Sequence, residues 1–368
     1  MHKVVISGYY GFNNIGDESI LTSIIYNLKE KVEDIDITVL SVNPQSTVQK
    51  HQVEAINRKA VVDIYKSIKK CDLLISGGGS LLQDVTSGRS MTYYLGVILI
   101  GMVLRKKIMI YSQGIGPVNR GFNQWLMKWV LNYVDCITVR DIKSKDTLIK
   151  LGVRKPSIHI TSDPVIGLQK VGIEEGRKKL IQSGIDPHGK KPLIGFALRG
   201  WKSNEQYQEQ MGKLADEMME KLNAQVVFLP FHYGEDLCVL DGIHGKMEQP
   251  GVFMKERYSV DEMLSIVGNL DVLVGVRLHS LIFAAVMNIP MVAISYDPKI
   301  DSFMESLDLN SFTSLQELEN VDIIGELRSI LEKKQDEKVL LSQRVMKLKN
   351  KLAMNEEIVN QLLAKGER

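Results

Sequence analysis

The chain is poor in cysteine, which argues against a disulfide-rich protein and against a zinc-knuckle protein. Only Cys71, Cys136 and Cys238 occur among 368 residues, and they are widely spaced. An odd number at such distances fits neither a disulfide framework nor a zinc knuckle. Because Cys71 and Cys136 each begin an apolar, strand-like run, we predict that they are core thiols in a reducing compartment.

Long hydrophobic runs are also missing. The longest, from Tyr93 to Leu104, falls short of the ~18 residues that a membrane span needs. The N-terminus shows no signal-peptide pattern, so a cytoplasmic protein is expected. Arg105, Lys106 and Lys107 follow the run, which suits a helix end that touches the anionic inner face of the membrane. A helix packed under a sheet is the alternative.

Charge of one sign is not in excess. Lysine and arginine number 46 against 44 acidic residues, giving a net charge of +2. This balance, without a long basic block, argues against a nucleic-acid-binding protein. The sequence has no H-E-x-x-H motif and no G-x-S-x-G elbow, so we expect neither a metal site nor a serine hydrolase.

What the sequence does have is a regular alternation of strand-like and helix-like segments, which indicates parallel sheets covered by helices. The predicted fold class is α/β: two Rossmann-like parallel-sheet lobes of GT-B type that face each other across a cleft, with a C-terminal helical tail. The expected boundaries are 1–166, 167–312 and 313–368. In the tail, apolar residues at near-helical spacing predict one face that packs on a domain.

The loop from Gly8 to Glu18 follows the first predicted strand. It matches neither the dinucleotide-binding pattern nor a P-loop. Asn13 and Asn14 offer amides for sugar hydroxyls, while Asp17 and Glu18 can accept a hydroxyl proton. The alternative is that Asp17 only caps the next helix.

Two further loops follow strands of the first lobe. Ser76-Gly77-Gly78-Gly79 offers bare backbone amides to an anion or a glycan. Gln113, directly after the strand Ile108–Ser112, is expected to point into the cleft. A plain strand-to-helix turn is the alternative for both.

Cationic side chains gather at the predicted strand ends of the second lobe. Arg199, His232, Arg277 and Lys299 each follow a strand, and His279 stands beside Arg277 at the start of a helix. Because the carboxyl ends of parallel strands meet at one sheet edge, where ligands bind, the cluster predicts a site for a small, multiply charged anion. Arg277 in an ion pair and His279 as a helix cap are the alternatives for each residue alone.

With these motifs in order, and with Tyr296-Asp297-Pro298-Lys299 after the Arg-Leu-His-Ser block, the chain resembles the polysaccharide pyruvyltransferase family over roughly residues 3 to 305. It is most similar to the CsaB-type enzymes of bacterial cell-wall polymers. The resemblance implies a GT-B-like fold and phosphoenolpyruvate as donor and co-substrate, with no other cofactor. It also implies a lipid-linked ManNAc-GlcNAc acceptor, a 4,6-ketal on ManNAc as product, and a role in anchoring surface-layer proteins.

The residue chemistry agrees with this expectation. Phosphoenolpyruvate carries a carboxylate and a phosphate, and arginine binds either in a bidentate manner. Arg199 and Arg277 are the predicted donor ligands, with Lys299 and the backbone amides near Leu278 and Ser280. His279 is the predicted acid/base, because an imidazole ordinarily titrates near pH ~6.5. The predicted acceptor side consists of Asn13, Asn14, Asp17, Glu18, Gln113 and His232.

Two other functions remain open at this stage. A GT-B glycosyltransferase with a nucleotide-sugar donor would use the same scaffold, and the cation cluster would hold its diphosphate. A carbohydrate-binding protein without activity is the third interpretation.

Overall fold

The computed structural model describes residues 1–12, 14–84, 88–187, 189–200 and 205–364. The strands are β1 His2–Ser7, β2 Ile35–Ser41, β3 Glu54–Asn57, β4 Leu73–Ser76, β5 Lys107–Gln113, β6 Cys136–Val139, β7 Ser157–Ile160, β8 Leu193–Ala197, β9 Gln225–Phe228, β10 Val252–Phe253, β11 Val272–Gly275, β12 Met291–Ser295 and β13 Thr313–Ser314. The helices are α1 Ile15–Lys31, α2 Pro44–His51, α3 Val61–Lys70, α4 Gly88–Val103, α5 Gly121–Leu131, α6 Ile142–Lys150, α7 Glu174–Gln182, α8 Glu205–Lys221, α9 Tyr233–His244, α10 Val260–Gly268, α11 Leu278–Met287, α12 Pro298–Ser306, α13 Ile323–Glu332, α14 Lys334–Leu352 and α15 Met354–Ala364. Cys71 and Cys136 are buried free thiols, as predicted.

The first of two compact units comprises Met1–Asn13, Asp17–Leu168 and Leu348–Arg368. Its seven strands form a parallel sheet in the order β3-β2-β1-β4-β5-β6-β7. Because helices cover both faces of such a sheet, its central strands are apolar throughout, as in β4. The strand order reverses between β1 and β4, where Ser7 lies opposite Ser76. At such a switch point the loops after the two strands diverge and leave room for a ligand.

The second unit comprises Asn14–Gly16 and Gln169–Lys347. Its six parallel strands run in the order β10-β9-β8-β11-β12-β13. This repeats the Rossmann order, with its switch point between β8 and β11. There Ala197 lies opposite Gly275, and the Val276 amide donates to the Ala197 carbonyl at 2.9 Å.

Two α/β Rossmann-like lobes were expected and are observed. The chain changes unit between Leu168 and Gln169, two residues beyond the expected boundary. The C-terminal region differs from the expected separate tail: residues up to Lys347 belong to the second unit and those from Leu348 to the first. Its apolar stripe is buried except at Leu340, so the predicted packing face is confirmed.

Polar side chains fix the last helix to the first sheet. The Asn355 amide nitrogen donates to the Ser112 hydroxyl at 2.9 Å, and its oxygen accepts from Thr138 at 2.6 Å. The Tyr111 hydroxyl donates to Glu356 at 2.5 Å. These buried contacts explain why the segment belongs to the first unit.

No helix among the described residues is both long enough and apolar enough to cross a bilayer.

Candidate active site

Four neighbouring strands of the second unit end side by side, in the order β9, β8, β11 and β12. The segments that follow them carry His232, Arg199, Arg277 and Lys299 respectively. Arg199 and Arg277 each stand two residues beyond the paired positions Ala197 and Gly275, so they flank the switch point of this sheet. The predicted convergence of these strand ends at one sheet edge is confirmed.

Arg277 is oriented by a buried carboxylate. Its Nη2 donates to Oδ1 of Asp236, a fully buried residue in the first turn of α9. The other oxygen of Asp236 accepts from the amides of Phe231 and His232 at 3.0 and 2.7 Å. One carboxylate therefore fixes both the guanidinium after β11 and the turn after β9.

Arg199 is held by an aromatic residue instead of an acid. Its Nη1 donates to the Tyr296 hydroxyl, and its guanidinium carbon lies 4.8 Å from the Tyr296 ring centroid. Burial works to lower the pKa of Arg199, but the Tyr296 phenol and the carboxylates of Glu235 and Asp236 raise it above its usual value. Arg199 thus stays charged, and its Nε is buried without a hydrogen bond to any described residue.

His279 lies in the first turn of α11. Arg277 occupies the N-cap position without a side-chain cap, while the Ser280 hydroxyl donates to the Arg277 carbonyl at 2.6 Å. Gly16, which belongs to the second unit, approaches so closely that a Cβ on it would lie 2.0 Å from Nδ1 of His279. Only glycine leaves room for the imidazole in this position.

Two other predicted residues of this unit, Lys299 and His232, interact with the N-terminal ends of the helices next to them. Lys299 Nζ lies 3.1 Å from Oδ2 of Asp297, which caps α12. The Nδ1 atom of His232 accepts from the Glu235 amide at 3.3 Å and caps α9. Asn14 forms an isolated antiparallel bridge with His232, and its side-chain oxygen accepts from the Gly16 amide at 3.0 Å.

In the first unit, the two adjacent carboxylates of the first loop differ. Glu18 is buried; its carboxylate accepts from the Gly11 amide at 2.7 Å and lies 3.9 Å from Nε2 of His51. Burial works to raise the pKa of Glu18, but the nearby His51 side chain and the hydrogen bond from the Gly11 amide lower it below its usual value. Such a carboxylate is a weak base. Asp17 is half-buried, so of the two predicted bases it is the more accessible. Asn13 lies outside the described residues.

Gln113 corrects an expectation. Its side chain is fully buried, and its Nε2 donates to the Ser76 hydroxyl and to the Gly77 carbonyl, both at 2.8 Å. The Gly77 carbonyl of the glycine-rich loop after β4 accepts this bond, so the amide turns toward the loop and not toward an open space. Gln113 positions this loop.

Arg58, directly after β3, was not predicted from the sequence. Only 9% of it is exposed, and its guanidinium carbon lies 4.1, 5.2 and 5.3 Å from the ring centroids of Tyr93, Tyr94 and Phe12. Its Nη1 donates to the Tyr94 hydroxyl at 3.3 Å, and no ion pair to it is found among the described residues. A buried cation balanced by rings at the carboxyl edge of the sheet is suited to binding an anion.

The fold defines a two-lobed, GT-B-like protein, and a cluster of cationic side chains lies at the strand ends of its second lobe. HepE of Anabaena, solved with UDP-glucose, matches with a TM-score of 0.66 at 13% identity over 99% of both chains. A glycosyltransferase from Rickettsia africae matches with a TM-score of 0.67 at 12% identity, again over 99% of both chains. At these identities the likeness shows the fold alone.

The sequence comparisons define the family. The family model for polysaccharide pyruvyl transferase matches residues 14–298. The chain therefore belongs to the polysaccharide pyruvyl transferase family and is an enzyme that transfers pyruvate to a polysaccharide. The amylovoran biosynthesis protein AmsJ of Erwinia amylovora is 21% identical over 388 aligned residues, which cover 90% of this chain and 92% of that protein.

Proposed function

We propose that this enzyme is of the CsaB type and transfers pyruvate from phosphoenolpyruvate to a lipid-linked ManNAc-GlcNAc precursor at the cytoplasmic face of the membrane. The product is a 4,6-ketal on β-ManNAc, which serves to anchor surface-layer proteins, and phosphate is released. The observation that carries this proposal is the pair Arg199 and Arg277 on adjacent strand ends, with His279 at the helix start beside them.

The donor is a dianion or trianion at neutral pH, and the second unit offers it matched charges. Arg199 and Arg277 bind its phosphate and carboxylate, and each guanidinium already has one fixed partner that limits its motion. The backbone amides of Leu278 and His279 add donors at the start of α11, where the helix dipole favours negative charge. The Ser280 hydroxyl holds the N-cap residue Arg277 through its carbonyl, and Lys299 adds a further positive charge.

The reaction needs a proton carrier. A proton is added to the methylene carbon of phosphoenolpyruvate, which leaves an oxocarbenium-like centre at C2. One sugar hydroxyl attacks this centre and loses its proton, the C–O bond to phosphate breaks and inorganic phosphate leaves, and the second hydroxyl then attacks C2 and closes the ring with loss of its own proton. His279 is the proposed acid/base in these transfers.

The acceptor side draws on the first loop and on the edge after β3. Asp17 is the proposed base for an acceptor hydroxyl, and Glu18 instead holds the loop through Gly11. Asn13, Asn14 and His232 remain proposed sugar contacts. Arg58 supplies a cation for the diphosphate of a lipid-linked acceptor.

The first test mixes the purified protein with phosphoenolpyruvate and a lipid-like ManNAc-GlcNAc diphosphate, and follows phosphate release and product mass. Acceptor-dependent phosphate release, with a mass gain of pyruvate less water, supports the proposal. Consumption of a nucleotide sugar without reaction of phosphoenolpyruvate contradicts it and favours the glycosyltransferase alternative.

Variants then separate the two roles. His279→Ala should lower turnover by ~100- to 10,000-fold while phosphoenolpyruvate still protects the protein from thermal unfolding. Arg277→Ala should instead weaken that protection. Exposed His244 and half-buried Arg177, both in the same unit, provide matched controls, His244→Ala and Arg177→Ala. Normal turnover by folded His279→Ala would overturn the acid/base assignment.

A further inference from the structure

Four aromatic side chains form a row on the outside of the first unit. Phe122, Trp125 and Trp129 lie on α5, Tyr133 follows it, and their exposed fractions are 67, 59, 43 and 54%. Successive ring centroids are 5.9, 6.3 and 6.0 Å apart. We call these four residues the aromatic row.

The aromatic row does not belong to the core. Helix α5 packs inward through its other side, where Asn123, Met127, Val130 and Leu131 are buried. Every residue of the apolar run Tyr93–Leu104 except Val103, in contrast, is buried or half-buried, so core packing explains that run but not the row. Exposed aromatic groups of this size in one contiguous patch usually mark an interaction surface.

Basic side chains border the row. Together with Trp129 and Tyr133, the end of α4 lines a groove of about 500 Å³ that also contains Val103, Arg105 and Lys106. Val103 is the most exposed large hydrophobic residue on it, and Lys155 Nζ lies 4.8 Å from the Tyr133 ring centroid. Lys107 also lines the groove and is paired with Asp135 at 3.1 Å.

We infer that the aromatic row and the basic groove form a docking surface for an anionic phospholipid bilayer. Tryptophan and tyrosine favour the headgroup level, because one part of each ring system is apolar and another is polar. Lysine and arginine side chains near an anionic membrane surface are attracted to it electrostatically. Apolar rings and cations on one surface therefore complement a bilayer of negative charge more closely than a neutral one.

A membrane-docking surface would be useful to an enzyme whose acceptor is lipid-linked, and to that extent this inference rests on the proposed function. An enzyme bound to the bilayer through its first unit would meet lipid-linked acceptors that diffuse in the plane of the membrane. Vesicle binding is measured without donor or acceptor, so the two proposals fail separately.

The test is flotation of the full chain with vesicles of phosphatidylglycerol and phosphatidylcholine, compared with phosphatidylcholine alone. The wild-type protein should float with the anionic vesicles, and binding should weaken as salt is raised. The double variant Trp125→Ser/Trp129→Ser should bind at least about tenfold more weakly, because two exposed rings no longer enter the interface. The charge variant Arg105→Glu/Lys106→Glu should lose the preference for anionic lipid.

Matched controls come from the same unit. Tyr26→Ser/Tyr65→Ser removes two other exposed aromatic rings, and Lys66→Glu/Lys69→Glu reverses two charges on α3. Both should float like the wild-type protein, and Trp125→Ser/Trp129→Ser should keep its turnover of a water-soluble acceptor. Equal binding by all variants, or no binding by the wild-type protein, would overturn the proposal. So would a dimer that only the tryptophan variant dissociates, because the row would then join two copies of the chain.

Discussion

Asp236 is the residue on which the position of Arg277 depends. Its two oxygens accept from the Arg277 guanidinium and from two backbone amides, all in a fully buried position. Asp236→Asn keeps the size of the side chain, but its NH₂ group then faces either the Arg277 guanidinium or the two backbone amides, which are all donors. We expect a loss of about 1–3 kcal/mol in unfolding free energy and a rise in KM for phosphoenolpyruvate of roughly tenfold or more.

Steady-state kinetics and thermal melts would measure both effects. Glu235→Gln is the matched control, since Glu235 is more exposed and lies 3.8 Å from Arg277. If Asp236→Asn changed stability but left KM for the donor as it was, the positioning role would be wrong.

Gly16 is the second residue that can be tested alone. In Gly16→Ala the new methyl group would lie 2.0 Å from Nδ1 of His279, so the imidazole has to move. A displacement of about 1 Å in a catalytic group can cost ~100-fold in rate, so turnover should fall by that order. The melting temperature should change little, because alanine is the better helix former at this position in α1.

Gly234→Ala is the control for this change, because a Cβ there meets nothing within 4 Å. The test is to measure the turnover of both variants under the same conditions. Unchanged turnover in Gly16→Ala would show that the position of His279 is not critical.

The sequence predicted the candidate site residues of the second lobe but not the residues that hold them in place. Arg277 and His279 could be predicted because they follow a strand directly and open a helix. Asp236 and Arg58 could not, because their roles depend on which strands are neighbours and on side-chain orientation. Gln113 was misjudged for the same reason: it is the last residue of β5, and its amide donates to the Gly77 carbonyl of the glycine loop.

At the scale of elements, the last helix contains a buried acid with a pH-dependent effect. Burial raises the pKa of Glu356 above its usual value, although the hydrogen bond from Tyr111 works to lower it. The folded state therefore binds the proton more tightly than the unfolded state does. Stability should decrease as the pH rises from the unfolded pKa through the folded one, and the loss should persist above it.

Glu356→Gln removes the charge and keeps an oxygen for Tyr111. We expect the variant to match or exceed the wild-type melting temperature at pH 8, and this advantage should vanish below the usual pKa of a glutamate. Melting curves from pH 4 to pH 8 measure it. Glu357→Gln, on the next residue, is the control. A variant less stable than wild type at every pH would contradict this assignment.

The elements themselves were predicted where their apolar runs are long. The apolar runs Leu73–Ser76, Leu193–Ala197 and Met291–Ser295 predict strands, and these are β4, β8 and β12; the position of Asp141 after Arg140 predicts a helix cap, and Asp141 caps α6 through the Ser144 amide at 2.7 Å. The sequence pattern does not indicate the strands β3, β10 and β13. β3 is half exposed at the sheet edge with one branched apolar residue, and the other two contain two residues each, too few for any periodicity.

At the scale of the whole molecule, the first unit is discontinuous in sequence. Ending the chain after Lys347 would remove α15 and the end of α14, with Asn355 and Glu356, and leave the second unit whole. We expect backbone amides of β5 and β6 to lose protection from hydrogen exchange, because buried Ser112, Thr138 and Tyr111 lose their partners. Amides of β8 and β11 should stay protected.

Exchange measured by mass spectrometry on both chains would test this difference. A chain that ends at Ala364 is the control, because it keeps every described contact of the last helix. Equal loss of protection in both sheets would mean that the two units do not unfold independently.

The return of the C-terminal segment to the first unit also determines an order of assembly during synthesis. The β-strands of the first unit leave the ribosome first, yet their buried partners Asn355 and Glu356 are made only after all of the second unit. At about 5–20 residues per second, residues 169–347 take roughly 10 to 35 s to synthesise. For that time the buried polar side chains of β5 and β6 lack these partners, so the lobe begun first is the one completed last.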